Sequence, residues 1–483
     1  MSSDWPVHKL SDFINVKHGF AFKGEYFQSI RTKYLLVTPG NFAVGGGFKA
    51  DKFKYYKGPI QEGYIFNEGD LVVTMTDLSK QADTLGYSAL IPEVKGHRLL
   101  HNQRVGLIEF KNVELDKTYL YFLLRSREYR NHVIGGATGT TVKHTSPTKI
   151  LSFEFQKPPK DVQVEIGKKL IALEEKIELN RQTNQTLEQI AQAMFKSWFV
   201  DFDPVRAKIA ANAAGENAQR AAMAAISGLS ITPVQAQGLA AGAIADLDQL
   251  QQQHPEQYQQ LQATADLFPD NLIDSELGEI PERWEVKTLS KIIKVIGGGT
   301  PKRSEKSYWG GTIPWFSVRD VPAESDVFVI DTTEKITEAG MQKSSTKLLP
   351  KGTTIITARG TVGKLALVAT PMCMNQSCYG IEAVKGIGPY FNFFNLREAI
   401  GTLLQNTHGA VFDTITTQTF ESYSMAVASR ELIQAFDELV EPLLKKVEQN
   451  IHETTGISEL RDTLLPKLLS GELSDYARIE VHS

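Results

Sequence analysis

From Asp161 to Phe199 apolar residues recur in steps of four and three, at Ile166, Leu170, Leu173, Ile177, Leu187, Ala191, Met194 and Trp198. A heptad sustained over that length reads as a coiled-coil seam rather than one face of a small globular helix. At ~1.5 Å per residue the helix is on the order of 60 Å long, so it is a spacer as well as a packing surface. Pro158 and Pro159 block helix on the amino side and set the start. The same pattern is written twice. Ile177-Glu-Leu-Asn180 lies over Val447-Glu-Gln-Asn450, Leu187 over Ile457, Met194 over Leu464 and Phe195 over Leu465, all at one shift. Asn180 and Asn184 fall on the seam of the first rod, and Asn450 and Thr454 stand at those sites in the second. A polar seam residue fixes register and pairing at some cost in stability. The alternative is that the helix turns these residues to solvent.

A mixed unit of short strands and turns precedes each rod. In the first, strand-like runs occur at Tyr34–Thr38, Asp70–Met75, Tyr87–Ile91 and Arg104–Phe110, with turn chemistry at Pro39-Gly40-Asn41 and Gly45–Gly47 between them. Thr118–Asn131 predicts a helix with Leu120, Leu123 and Leu124 inward and Arg125, Arg127 and Arg130 outward. The second unit repeats the first. Trp5 lies over Trp284, Leu10 over Leu289, Val16 over Val295, Gly19 over Gly298, Leu71-Val-Val-Thr74 over Thr354-Ile-Ile-Thr357, and Asn102-Gln103 over Asn375-Gln376. The shift drifts along the unit, as loop insertions on a shared scaffold require. Between first rod and second unit, residues 205–276 are rich in Ala and Gln, and read as a helical linker or a small acidic helical insert without site chemistry.

At 483 residues the chain is too long for one core. No stretch reads as a secretory signal or approaches the ~20 apolar residues of a membrane span. Cys373 and Cys378 cannot make a disulfide framework and read as reduced core residues, which fits the cytoplasm. The net charge of −4 hides an asymmetry. Residues 1–160 carry +7 and 284–428 carry +3, while 161–200 carry −1, 201–283 carry −8 and 429–483 carry −5. Positive globules on negative connectors suit a nucleic-acid binder with protein-facing supports.

Catalytic motifs are poorly represented. Arg359-Gly-Thr-Val-Gly-Lys364 lacks the Walker spacing, and no dinucleotide-binding glycine pattern joins a strand to a helix. Asp83 with Glu93-Val-Lys95 is a weak nuclease pattern, and Asp201 with Asp203 sits at an aromatic helix end that favours termination over metal binding. Binding chemistry is better supported, with no metal ligands among the candidates. In the second unit Thr300, Lys302 and Arg303 lie in a Gly-rich loop, Ser317 and Arg319 follow an apolar strand, and Arg359, Thr361 and Lys364 fall among small residues. Arg forks onto guanine and Asn or Gln onto adenine, so Asn375 and Gln376 join them, with His408 as a further candidate. Lysines and Gly/Thr amides would take phosphates. The first unit offers Lys80, Gln81, Asn102, Gln103, Thr140, Thr141, Lys143 and His144.

Three motifs carry a family resemblance: Phe195-Lys-Ser-Trp-Phe-Val-Asp-Phe-Asp-Pro204, Gly278-Glu-Ile-Pro-Glu-Arg-Trp284, and Leu460-Arg-x-x-Leu-Leu-Pro-Lys-Leu-Leu-Ser-Gly-Glu472. In this order along the whole chain they resemble the specificity (S) subunits of type I restriction-modification systems. The resemblance implies an α+β fold, with two mixed α/β target-recognition domains separated by two long helices pairing as an antiparallel coiled coil. The expected division is 1–158 and 277–428 for the recognition domains, 159–204 and 429–472 for the helices, 205–276 for the insert and 473–483 for a tail. It implies a non-catalytic subunit that reads a split, asymmetric target in double-stranded DNA. Two methyltransferase (M) subunits would dock on it, and restriction (R) subunits would join the full complex. The subunit itself needs no cofactor; S-adenosylmethionine, and ATP with Mg2+, belong to the partners. The aromatic cluster Phe195, Trp198, Phe199 and Phe202, with Leu464 and Leu468, is the expected docking surface. The competing readings are a coiled-coil adaptor that binds only protein, and a free-standing restriction nuclease. The insert is longer than such a subunit needs, and the target sequence cannot be derived from the loops.

Overall fold

The computed structural model describes residues 5–50, 53–77, 79, 81–139, 142–227, 247–323, 326–405 and 414–473, with side chains 404 and 405 left aside. Contacts divide the chain into two units, Met1–Ile177 with Gly456–Ser483, and Glu178–Thr455.

In the first unit one sheet orders β2 (Ile14–His18), β10 (Val105–Phe110), β6 (Leu71–Thr74) and β8 (Ser88–Leu90), all antiparallel. A second orders β3 (Phe27–Gln28), β5 (Lys54–Tyr56), β4 (Tyr34–Val37) and β9 (Arg98–His101), the last two parallel. Short pairs join β1 (Val7–Lys9) to β12 (Glu154–Gln156) and β7 (Thr76–Asp77) to β11 (Lys143–His144). The predicted helix over 118–131 is two helices, α1 (Lys117–Leu123) and α2 (Arg127–Gly135). Ser126 breaks it by capping the second, accepting from the Tyr129 N–H at 3.2 Å. The break turns Arg125 and Arg130 inward, against expectation. Arg130 lies 3.9 Å over the Tyr87 ring and donates to the Ala82 carbonyl at 2.7 Å. Arg125 pairs with Glu174 at 2.5 Å and donates to the Gly45 carbonyl at 2.7 Å. Burial of each guanidinium is offset by a carbonyl that accepts from it and by an aromatic ring or carboxylate beside it. α3 (Pro147–Leu151) completes the unit's own helices.

The rods are α4 (Lys160–Phe199) and, at the far end of the sequence, Arg430–Leu469. In the first unit α4 buries Ile166 and Leu170 in one core with Leu468 and Leu469, and Glu174 binds Arg461 at 3.2 Å. In the second, Asn184 meets Asn450 and Phe195 meets Phe436. Residue numbers rise on one helix as they fall on the other, so the pair is antiparallel in each unit. The seam asparagines are buried, not turned to solvent. Asn180 donates to Glu453 Oε2 at 2.9 Å and Thr454 Oγ1 at 3.3 Å, and Asn450 donates to Asn184 Oδ1 at 2.9 Å. A shift by one heptad would leave these amides unpaired, which is how they hold register.

After Phe199 the chain turns through Phe202, whose φ of 57° is left-handed. That conformation costs about 1–2 kcal/mol, and the packing of the Phe202 ring on Trp284 at 5.4 Å offsets it. Then come α5 (Asp203–Ala214), α6 (Ala218–Ile226) and α7 (Pro255–Asp266). Val205, Met223, Ile226 and Phe268 enter the core that holds Trp198 and Phe199. Packing therefore favours an insert over a linker; residues 228–246 lie outside the described part.

A hairpin of β13 (Leu272–Ser275) and β14 (Gly278–Pro281) leads into the second unit's sheets. One orders β16 (Ile293–Gly297), β23 (Cys378–Ala383), β20 (Thr354–Thr357), β21 (Leu365–Val368) and β18 (Phe328–Val329). The other orders β19 (Lys335–Ile336), β17 (Trp309–Phe316) and β22 (Cys373–Met374), with β17 and β22 parallel. β15 (Glu285–Thr288) pairs with β24 (Ser424–Val427), as β1 pairs with β12. The helices are α8 (Glu338–Gln342), α9 (Pro389–Gln405), α10 (Thr417–Glu421) and the second rod, α11 (Arg430–Leu469). Cys373 and Cys378 are free and buried.

α11 also caps α9. Asp437 accepts from the Phe391 N–H at 2.7 Å and the Tyr390 N–H at 3.2 Å, at the end where the helix presents unpaired donors. Burial pushes its carboxyl up to about 6, helped by Glu441 and opposed by those two N–H groups. Because the folded value lies above the ordinary one, this group's contribution to stability is full below about pH 4 and is lost as pH rises through about 6. Asp437→Asn should therefore flatten the fall in stability between pH 4 and pH 7, read by urea unfolding at both values. Equal pH dependence in variant and wild type would refute the assignment.

Candidate nucleic-acid interface

The repeated strands bring four loops to one end of each unit. In the second unit these are the ends of β16, β17, β20 and β22. Backbone bonds lace them together: Gly299 N–H to Met374 O at 3.0 Å, Asn375 N–H to Phe316 O at 2.9 Å, Ala358 N–H to Ser377 O at 2.8 Å, and Ile415 N–H to Ala358 O at 2.9 Å. The first unit makes corresponding bonds at corresponding places. Met75 N–H donates to Arg104 O at 2.9 Å, and Thr145 N–H to Met75 O at 3.0 Å. The bridge between Arg359 and Thr414 matches that between Thr76 and His144. Gly19 and Gly298 hold equivalent places, where a Cβ would come within 2.1 Å of Asn102 O and 1.9 Å of Asn375 O. Only glycine permits that approach.

This ring gathers most of the second unit's candidates. Thr300 donates its hydroxyl to Gln376 Oε1. Arg359 and Thr361 are exposed at the tip of the β20–β21 hairpin, with Lys364 at its far side. The Thr357 hydroxyl closes that hairpin by accepting from the Lys364 N–H at 2.9 Å. Arg319 is exposed on a turn capped by Ser317. Asp320 fixes this turn, with one oxygen accepting from Ser317 N–H at 2.8 Å and the other from Thr333 N–H at 2.7 Å. Lys302 is exposed beside Arg303, and His408 lies outside the described residues.

Several expectations change. Arg303 does not reach outward as a guanine fork: both its terminal nitrogens are held by Glu334, and its plane lies 3.8 Å over Trp309. Glu334 holds the Arg303 guanidinium further above its usual range, with burial opposing. Asn102 and Asn375 build turns, since their Oδ1 atoms accept from Arg104 N–H at 3.0 Å and Ser377 N–H at 2.9 Å. A two-bond contact with adenine would compete for those oxygens. The neighbouring Gln103 and Gln376 are the exposed members of each pair.

In the first unit Gln81 and His144 are exposed and Lys143 is half-buried, while Lys80, Thr140 and Thr141 lie outside the described residues. His144 Nδ1 sits 3.1 Å from the Thr76 hydroxyl. Asp77, not among the candidates above, organises this corner. It accepts from Ser79 N–H at 2.5 Å and from the Thr84 hydroxyl at 2.7 Å. Burial would raise its carboxyl, but the Thr84 and Ser79 bonds win and hold it below the usual range. Thr38 and Asn41, in the turn matching Ser317–Asp320, were also missed; the Pro39-Gly40-Asn41 turn was their signal.

The six expected docking residues are not a surface. Phe195, Trp198, Phe199 and Phe202 are buried in the second unit's core, and Leu468 is buried with Leu464 packed beside it in the first. Asp201 is bound by Lys196. Among the described residues no group of three or more His, Cys, Asp or Glu converges as metal ligands, and no helix is long and apolar enough to cross a membrane.

One α+β unit with its ring of loops is thus made twice, and each copy packs on its own segment of an antiparallel helix pair. A family model described as the type I restriction modification DNA specificity domain matches residues 2–189 and 281–429. The chain belongs to this family of type I restriction-modification specificity subunits. It is 33% identical over 368 residues to the type I restriction enzyme HindI specificity subunit of Haemophilus influenzae, across 74% of this chain and 77% of that one. To the EcoR124I/EcoR124II specificity subunit of Escherichia coli it is 36% identical over 131 residues, 26% of this chain and 29% of that one. The crystal structure of the type I S subunit from M. genitalium shares the fold, with a TM-score of 0.50 at 15% identity over 96% of both chains.

Proposed function

We propose that each unit reads one half of a bipartite, asymmetric duplex DNA target, and that the helix pair sets the unread spacer. What carries this reading is the loop ring made twice by corresponding backbone bonds, with different side chains at its tips. A common frame with unlike tips suits two different half-sites. The positive charge of both heads supplies the phosphate term, so binding should weaken steeply with salt. The reading extends to two methyltransferase subunits that hold S-adenosylmethionine and methylate adenine N6, and to restriction subunits that use ATP and Mg2+. The chain itself would be non-catalytic. With the aromatic cluster buried, exposed apolar side chains on the rods, Leu179, Ile190, Leu439 and Leu460, better suit docking. Methylome sequencing of the host, with and without the gene, tests the whole reading; a methylated motif that survives deletion would overturn it.

Arg359 gives the sharpest single test. It is exposed at a hairpin tip, and Arg359→Ala removes no core contact. Recognition should relax at one position of one half-site, at a cost of ~1–3 kcal/mol, in a gel shift with the methyltransferase partner present. Equal weakening on every sequence would make Arg359 a phosphate contact instead.

A further inference from the structure

The first unit has a second basic feature, at the other end of β4 from its loop ring. A cavity of about 490 Å³ is lined by Gln28, Ile30–Tyr34, Tyr56, Lys57 and Gly58. Three cations line it, Arg31, Lys33 and Lys57, and among the described residues no carboxylate does. Among the described residues none of the three forms an ion pair, whereas Arg303 and Lys196 elsewhere are each held by an acid. All three are exposed, so their charge does not serve the core.

The backbone beneath them is fixed. The Thr32 hydroxyl donates to Tyr34 O at 2.8 Å and accepts from Tyr56 N–H at 3.2 Å, while the Thr32 carbonyl meets His97 Nδ1 at 2.8 Å. Arg98 N–H holds Lys33 O at 2.9 Å, and Lys57 N–H holds Tyr26 O at 3.1 Å. The pinned backbone holds the three Cα positions together, so closing on an anion orders only the side chains, at roughly 0.5–1.5 kcal/mol each. We propose that Arg31, Lys33 and Lys57 form a phosphate-binding pocket, separate from the loop ring. β4 has four residues, so pocket and ring lie roughly 13 Å apart along the strand, about four base pairs of duplex rise. A backbone phosphate of DNA flanking the half-site fits that spacing. The DNA source rests on the proposed function; the pocket's phosphate chemistry does not.

The test uses the full chain and the variant R31A/K33A/K57A, which should melt as wild type because the three side chains are exposed. Two duplexes are compared with methyltransferase partner present, one ending at the first unit's half-site and one extended beyond it by about ten base pairs. Wild type should bind the extended duplex about tenfold more tightly. The variant should lose that gain and the magnitude of its slope of log affinity on log salt should fall by about 1. In parallel, inorganic pyrophosphate is titrated into the full chain alone by calorimetry. Binding by wild type that the variant loses, without a flank effect, supports the pocket and makes its ligand a free phosphate compound. Should wild type bind no duplex, the proposed function fails and the pyrophosphate titration alone decides. The pocket is overturned if wild type shows neither effect, or if the variant keeps whichever effect wild type shows.

Discussion

Trp198→Ala should lower the stability of the second unit by about 3–5 kcal/mol, near the bottom of that range. The indole is fully buried, with ring centres 5.2 Å from Phe268 and 5.8 Å from Phe436. Removing it empties the junction where α4, the insert and α11 meet, and three separate elements cannot collapse to refill it. Its Nε1–H has no hydrogen-bond partner among the described residues, so deletion also relieves a buried donor and trims the loss. Trp198→Phe removes that donor while keeping most of the volume, and should cost less than about 1.5 kcal/mol. A chain of two units need not unfold in one step, so the readout is hydrogen exchange of the α9 and α11 amides. Protection there should fall in Trp198→Ala and persist in Trp198→Phe. A docking role would give the opposite pattern: unchanged protection, with binding of the methyltransferase subunits lost.

That reversal shows what the sequence could and could not convey. The rods were legible because a heptad is a local pattern, and the repeated Asn180 and Asn450 marked a buried polar layer before any contact was known. Strands in the first unit were legible from apolar runs bounded by Gly and Pro. An aromatic helix end such as Trp198-Phe199 looks alike whether it faces a partner or its own core. The deciding partners, Phe268, Trp284, Phe391 and Phe436, lie 69 or more residues away in sequence. The choice between linker and insert stayed open in the sequence for a related reason. Its Ala/Gln composition hides the few residues, Met223, Ile226 and Phe268, that attach it.

At the candidate interface the sequence named loops that do come together, but not which of their polar groups are already engaged. The Gly-rich loop around Thr300 and the Asn375-Gln376 pair do meet, through Thr300 and Gln376. But residue type does not say whether a polar group is already engaged. Glu334, which holds Arg303, lies 31 residues further on. Asn375 satisfies a backbone donor two residues away, the local bond that makes Asn a turn former. Such competition is invisible until geometry fixes who reaches whom.

The two ends of the helix pair are built differently, which bears on how it could serve as a ruler. In the first unit Glu174 binds Arg125, Arg461 and the Tyr121 hydroxyl. In the second, aromatic rings do the same job around Phe195 and Phe436. Each unit thus grips its own helix segments, and the chain divides at Ile177/Glu178 and Thr455/Gly456. Four residues inserted at both points add about one turn, roughly 6 Å, while keeping the contacts inside each unit. Four residues rotate the helix by about 400°, leaving only ~40° of net twist for the seam to absorb. If the pair sets the distance between half-sites, the methylated motif should keep both half-sites and gain one or two base pairs of spacer, since each adds about 3.4 Å. Inserting into one helix alone should instead slide the two rods by a turn, breaking either the asparagine layer of the second unit or the Glu174–Arg461 pair of the first, and weaken methylation at any spacing. Methylome sequencing of cells carrying each variant reads both outcomes, and an unchanged spacer in the double insertion would end the ruler reading.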